Sequence, residues 1–392
     1  MPELITNNMD KPFVYGMSVE GKNFTDRIRE TARLKKDFIY GMNVILISPR
    51  RMGKTSLVKK VKSEIDDPKL KVVMMDIYDC RSEYEFLNRF AETIFEQTDS
   101  KAERILENVK EFLSRVSPKI SFSSGPGTAF SLSLGITPKN YSPQDILNLP
   151  EIIAAKKGIR IVICIDEFQQ IGEFDDSLTG TKAMRGVWQH QQNVSYCLFG
   201  SKKHLMTKIF QSQRMPFYQF GEVNELGCIP TKDWTVYIQK RFMDNDQKIS
   251  QKFAEKICET VGNYSSYVQQ LAWDVMAETG REVTEKDFDN GYEALLAQNS
   301  SFFTEQIRGL STYQMNFIRA ICKGYHDNFG SREVQEGFPM GSKSNINKIK
   351  KALIDREIID VAGNRTVLAD SVFQHWFTRE FMSKVGDIAQ YV

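Results

Sequence analysis

Val44-Ile45-Leu46-Ile47-Ser48-Pro49-Arg50-Arg51-Met52-Gly53-Lys54-Thr55-Ser56-Leu57 is the stretch that decides how this chain folds. A short apolar run suited to a buried strand ends at Ser48, a polar loop follows, and the helical spacing Leu57, Val58, Val61, Ile65 takes over. Strand, loop and helix in that order are the context in which G-x-x-x-x-G-K-S/T cradles phosphate. Backbone N–H groups of Ser48, Pro49, Arg50, Arg51, Met52 and Gly53, where present, and the helix N-terminus would wrap a phosphate chain, with Gly53 allowing close approach. Lys54 would reach the outer phosphates, Thr55 would offer a hydroxyl to Mg²⁺, and Ser56 a further donor. Ser48 stands where the motif has its first glycine, which a serine can do only if its φ stays negative.

A second half of such a site lies downstream. The apolar strand Arg160-Ile161-Val162-Ile163-Cys164-Ile165 closes on Asp166-Glu167. Asp166 would hold the Mg²⁺ through water and Glu167 would orient and polarise an attacking water. Adjacent carboxylates at a strand end also occur as solvated loop charges; the phosphate loop upstream favours the catalytic reading. The next strand, Val194 to Phe199, leaves through Gly200-Ser201. Ser201 is a candidate contact to the terminal phosphate or the water, and equally a candidate N-cap for a helix from Lys202 to Phe210. Arg214, ahead of a strand-like Pro216-Phe217-Tyr218-Gln219-Phe220, and Arg185 are the available cations for transition-state charge.

Around these motifs the chain alternates strand and helix, with Lys71 to Asp79 as another strand and Phe86, Phe90, Ile94 and Phe95 on a following helix. Alternation of this kind implies a parallel sheet. Upstream, Phe13 to Arg27 supplies aromatics that either cover the sheet edge or cover an adenine base. Period-two alternation around Gly125-Pro126-Gly127 predicts a decorating hairpin. From Leu226 the periodicity becomes helical, with faces led by Trp234, Phe253, Tyr267 and Phe288. The end of the chain predicts three helices and a two-stranded wing. Ile346, Ile349 and Leu353 share one face of the third helix, leaving Ser344, Lys348 and Lys351 outward. Such a face suits phosphate contacts and is equally an ordinary solvated surface.

Composition sets the bounds. At 392 residues the chain has room for two or three domains. A net charge of +2 argues against a globally basic nucleic-acid binder, so any such contact must be local. The six cysteines are dispersed without a Cys-x-x-Cys pair and the four histidines do not cluster, which argues against a structural zinc site. No leader pattern or membrane-length apolar run is evident, so a cytoplasmic protein is expected.

The order of motifs resembles the archaeal-type ATPase family, within the STAND branch of P-loop NTPases and close to the AAA+ ATPases. It is carried by Phe24-Thr25-Asp26-Arg27, Pro49 to Leu57, Ile165-Asp166-Glu167-Phe168-Gln169, Gly200-Ser201, Pro216-Phe217-Tyr218 and Asp370-Ser371-Val372-Phe373-Gln374-His375-Trp376-Phe377. The resemblance implies an α/β fold with a P-loop NTPase parallel sheet (AAA+/STAND-like), followed by a helical lid and a winged-helix domain. It also implies ATP as ligand and a role as a nucleotide-controlled switch. Gly262-Asn263-Tyr264-Ser265-Ser266 departs from the family's usual Gly-x-Pro, which weakens the expectation that the lid senses nucleotide.

The resulting expectation divides the chain into an N-terminal segment (1–40), an ATPase core (41–225, hairpin near 118–137), a lid (226–304) and a winged helix (305–392). It binds ATP or ADP with Mg²⁺ held by Thr55 and Asp166, and hydrolyses ATP under a partner's control through Glu167, Lys54, Ser201 and Arg214. Its competitors are a non-hydrolysing nucleotide-gated scaffold and a winged-helix DNA-binding regulator. Candidate partners are DNA, through Lys348 and Lys351, and a protein or a second copy; a membrane is not among them.

Overall fold

The computed structural model describes residues 11–98, 142–174 and 177–382, so the hairpin expected near 118–137 lies outside the described residues. Contacts divide the chain into two units, Arg27–Gly227 and the combination of Met1–Asp26 with Cys228–Val392. The N-terminal segment up to Asp26 groups with the helical unit because it packs on that unit's helices. Phe13 is buried there, its ring 6.1 Å from Tyr237 and 6.0 Å from Phe242. The Val14 N–H donates to Gln269 Oε1 at 2.9 Å, and Arg241 Nη2 donates to the Lys22 carbonyl at 2.7 Å.

The unit Arg27–Gly227 contains a parallel five-stranded sheet of β1 (Val44–Ile47), β2 (Leu70–Asp76), β3 (Arg160–Asp166), β4 (Val194–Gly200) and β5 (Glu222–Glu225), in the order β2-β3-β4-β1-β5. All residues of β1 and β4 are buried, as expected for strands covered on both faces. The chain lays strands from β2 inward to β4 and then crosses to β5 on the far side of β1. β1 therefore sits where strand order reverses, and ligands of open α/β sheets bind outside the carboxyl ends of strands at such a point.

Pro216 to Phe220, expected as a strand, forms turns instead, with Tyr218 N–H on Met215 O at 3.1 Å and Phe220 N–H on Phe217 O at 3.0 Å. The reason is the spacing of the anchors: Phe217 and Phe220, three residues apart, both drive into an aromatic cluster with Phe168, Trp188 and Phe210. A strand would have sent them to opposite faces.

The other unit is helical up to its last hairpin. Thr231–Met243, Gln251–Thr260, Ser265–Glu278 and Glu285–Ile307 are followed by Thr312–Cys322, Arg332–Gly337 and Lys343–Asp355, the antiparallel pair β6 (Ile359–Ala362) and β7 (Arg365–Leu368), and Ser371–Phe381. Side-chain caps set most of the helix starts: Ser250, Ser331, Ser342 and Asp370 each accept a first-turn N–H, while Thr284 and Ser311 complete capping boxes. One apolar cluster runs from Phe13 through Trp234, Leu271 and Phe317 to Phe377. The segment after Thr312–Cys322 adds to the hairpin, Thr366 N–H donating to His326 O at 2.7 Å. Among the described residues no helix is long and apolar enough to cross a membrane.

Candidate functional site

Ile47, the last residue of β1, pairs with Gly200 of β4 and Glu225 of β5, so the phosphate loop and Ser201 leave the sheet side by side. Two loop residues take left-handed backbone, Arg51 with φ 69° and Gly53 with φ 87°. Ser48 does not, so serine replaces glycine there without the strain that a positive φ would impose. The helix Lys54–Glu64 starts at Gly53 without a side-chain cap, so no capping oxygen competes for its first-turn N–H groups.

Lys54 is buried and turns back over the loop. Its ammonium donates to Ser48 O at 3.0 Å, Ser48 Oγ at 3.3 Å and Pro49 O at 3.2 Å. Thr55 Oγ1 donates to Asp166 Oδ2 at 2.6 Å, joining the phosphate-loop helix to the end of β3. Asp76, at the end of β2, lies in register with Asp166. Burial above all, with the charges of Glu167 and Asp76 adding, pushes the Asp166 carboxyl up to about 6 against the opposing Thr55 hydrogen bond. A carboxylate so placed is stabilised by a cation, and hard oxygen donors suit Mg²⁺. Among the described residues no group of three or more His, Cys, Asp or Glu could hold a metal.

Glu167 has φ 54°, and its Oε2 accepts two hydrogen bonds, from Ser201 Oγ at 3.0 Å and from Gln169 Nε2. The Ser201 hydroxyl thus goes to the carboxylate; it does not cap a helix, because Lys203–Gln211 has Lys202 at its N-cap position. Arg214 is exposed in the turn before Phe217, and among the described residues no hydrogen bond or ion pair ties it to these groups. The Arg185 guanidinium lies over the Phe220 ring, 4.9 Å from its centroid.

Two residues without a role in the sequence reading belong here. Arg27, quoted only within Phe24-Thr25-Asp26-Arg27, is 3% exposed and has φ 60°. Its guanidinium donates to Met52 O at 3.2 Å, Gly227 O at 2.6 Å and Glu30 at 2.9 Å, holding the phosphate loop against the last residue of the unit. Gln169, 1% exposed, is the other. A buried arginine and a buried glutamine look like surface residues in a sequence, and the resemblance was the only signal that touched either. A cleft of about 250 Å³ opens beside the first turn of the phosphate-loop helix, lined by Glu30, Arg33, Leu34, Leu46, Leu57 and Leu226 among others.

The fold is a parallel α/β sheet with a G-K-T loop leaving the carboxyl end of its β1 strand. The chain is similar to a Walker-type ATPase of Pyrococcus abyssi, with TM-score 0.68 and 15% identity over 93% of this chain and 99% of that one. It is also similar to the ORC2 protein of Aeropyrum pernix, solved in ADPNP-ADP complexes, with TM-score 0.57 and 14% identity over 94% and 98%. At these identities the likeness is one of fold, and it agrees with the resemblance carried by the sequence motifs. No protein-family model and no curated protein matches the sequence.

Proposed function

We propose that this chain is an archaeal-type P-loop ATPase that binds ATP and Mg²⁺, hydrolyses ATP slowly, and serves as a nucleotide-controlled switch regulated by a partner. The observation that carries this reading is the convergence of Lys54, Thr55, Asp166, Glu167 and Ser201 at the carboxyl ends of β1, β3 and β4, through the Thr55–Asp166 and Ser201–Glu167 hydrogen bonds. Phosphate oxygens would compete with the loop carbonyls for the Lys54 ammonium. Thr55 and Asp166 would hold Mg²⁺, which neutralises charge on the phosphates when bound. Glu167 would accept the proton of the attacking water. The cleft beside Leu57 is the place proposed for the base. The nucleotide complexes of the ORC2 protein support the ligand assignment by analogy of fold.

Glu167→Gln tests the reading and separates it from a non-hydrolysing gated scaffold. The variant keeps shape and hydrogen-bonding reach while losing the charge. ATP affinity by calorimetry should stay near wild type, and turnover should fall about a hundredfold or more, the scale of a lost general base. Equal turnover in both proteins, with DNA and cell extract present, would give the scaffold precedence.

A further inference from the structure

We infer that Gln169 is the positioning residue for Glu167, pinning one carboxylate oxygen so that the other is presented to the water; this rests on the ATPase reading above. Gln169 Nε2 donates to Glu167 Oε2, the same oxygen that takes the Ser201 hydroxyl at 3.0 Å. With Oε2 carrying both donors, Oε1 is the oxygen left to take a proton. Glu167 follows the end of β3 on left-handed backbone, φ 54°, outside the strand pairing that would fix its direction.

The amide is itself held by shape. Gln169 is 1% exposed, and its Oε1 is buried without a hydrogen-bond partner. That cost is tolerated where a residue is retained for its other hydrogen bond. At Gly200 an added Cβ would come within 1.9 Å of Gln169 Oε1 and 2.9 Å of Met206 Sδ. Gly200 is therefore glycine because the Gln169 amide occupies the space a side chain would fill; its φ is not positive, so conformational freedom is not the reason. Gln169, Gly200, Ser201 and Glu167 thus form a set that joins the end of β3 to the end of β4.

The test compares ATP turnover and ATP affinity in the full chain. Gln169→Met keeps the length and burial of the side chain and removes the donor. It should lower kcat about tenfold or more while Kd for ATP and Tm stay near wild type. Gly200→Ala displaces the amide without touching Glu167 and should give a similar fall, with the double variant no worse than either single one. In a Glu167→Gln background, Gln169→Met should change turnover no further, which a merely structural role would not produce. Wild-type turnover in Gln169→Met, or a loss of ATP affinity and Tm parallel to the loss of kcat, overturns the inference alone. A wild-type chain that hydrolyses ATP no faster than Glu167→Gln overturns the ATPase reading and the inference with it.

Discussion

Asp274 lies inside the helical unit, 6% exposed, accepting a hydrogen bond from Gln298 Nε2 at 3.1 Å while its Oδ2 is buried without a partner. Burial is the main cause of a carboxyl pushed up to about 6, with the Gln298 bond opposing it. Between about pH 4 and 6 the folded chain therefore holds more protons here than the unfolded chain, and stability falls as pH rises through that window. The effect is on the order of 3 kcal/mol at neutral pH. Asp274→Asn keeps the acceptor for Gln298 and removes the charge, so thermal melts should show a higher Tm at pH 7, little change at pH 4, and a flatter profile between. A variant that is less stable than wild type at pH 7 would mean that the carboxylate is stabilised there by something other than Gln298. Residues of this kind, polar in sequence and buried in the fold, were illegible in advance. The strand–loop–helix at Gly53-Lys54-Thr55 was legible because those residue types at fixed spacing are what phosphate chemistry would ask of such a loop.

Packing of elements decided several features that periodicity could not. β5 is Glu-Val-Asn-Glu, partly exposed and without an apolar alternation, and it is a strand because its backbone pairs with β1 from Val44↔Glu222 to Ile47↔Glu225. Gly291, in the middle of the helix Glu285–Ile307, is a second case. An added Cβ would meet the backbone nitrogen of Val275 at 2.7 Å, on the neighbouring helix Ser265–Glu278. Helix propensity favours Gly291→Ala by up to about 1 kcal/mol, but overpacking against a backbone that cannot step aside costs about 1–3 kcal/mol. The variant should therefore lose stability in a denaturant titration. A rise in the unfolding midpoint would show that the two helices separate cheaply.

At the scale of the molecule, the order of elements from Thr312 to Leu368, three helices and a hairpin, supports the proposed winged helix. On Lys343–Asp355 the apolar residues Ile346, Ile349 and Leu353 are buried, while Ser344, Lys348 and Lys351 are exposed, as the sequence pattern predicts. If this face contacts duplex DNA, affinity should weaken with salt, and Lys348→Ala with Lys351→Ala should shallow the slope of log K against log salt by about two. Absence of DNA binding at low salt would assign the face to protein contacts. The sequence by itself determined the strand, loop and helix around Gly53-Lys54-Thr55, the strand ending at Asp166, the alternation that makes a parallel sheet and the helical character after Leu226, because each rests on local spacing. Only the tertiary structure decided that Phe13 belongs with Tyr237 and Phe242, that Arg27 holds Met52, that Gln169 fills the space above Gly200, and that β5 is a strand. These depend on which distant groups meet, and burial converts an unremarkable polar residue into a necessary one by removing the water that would otherwise satisfy it.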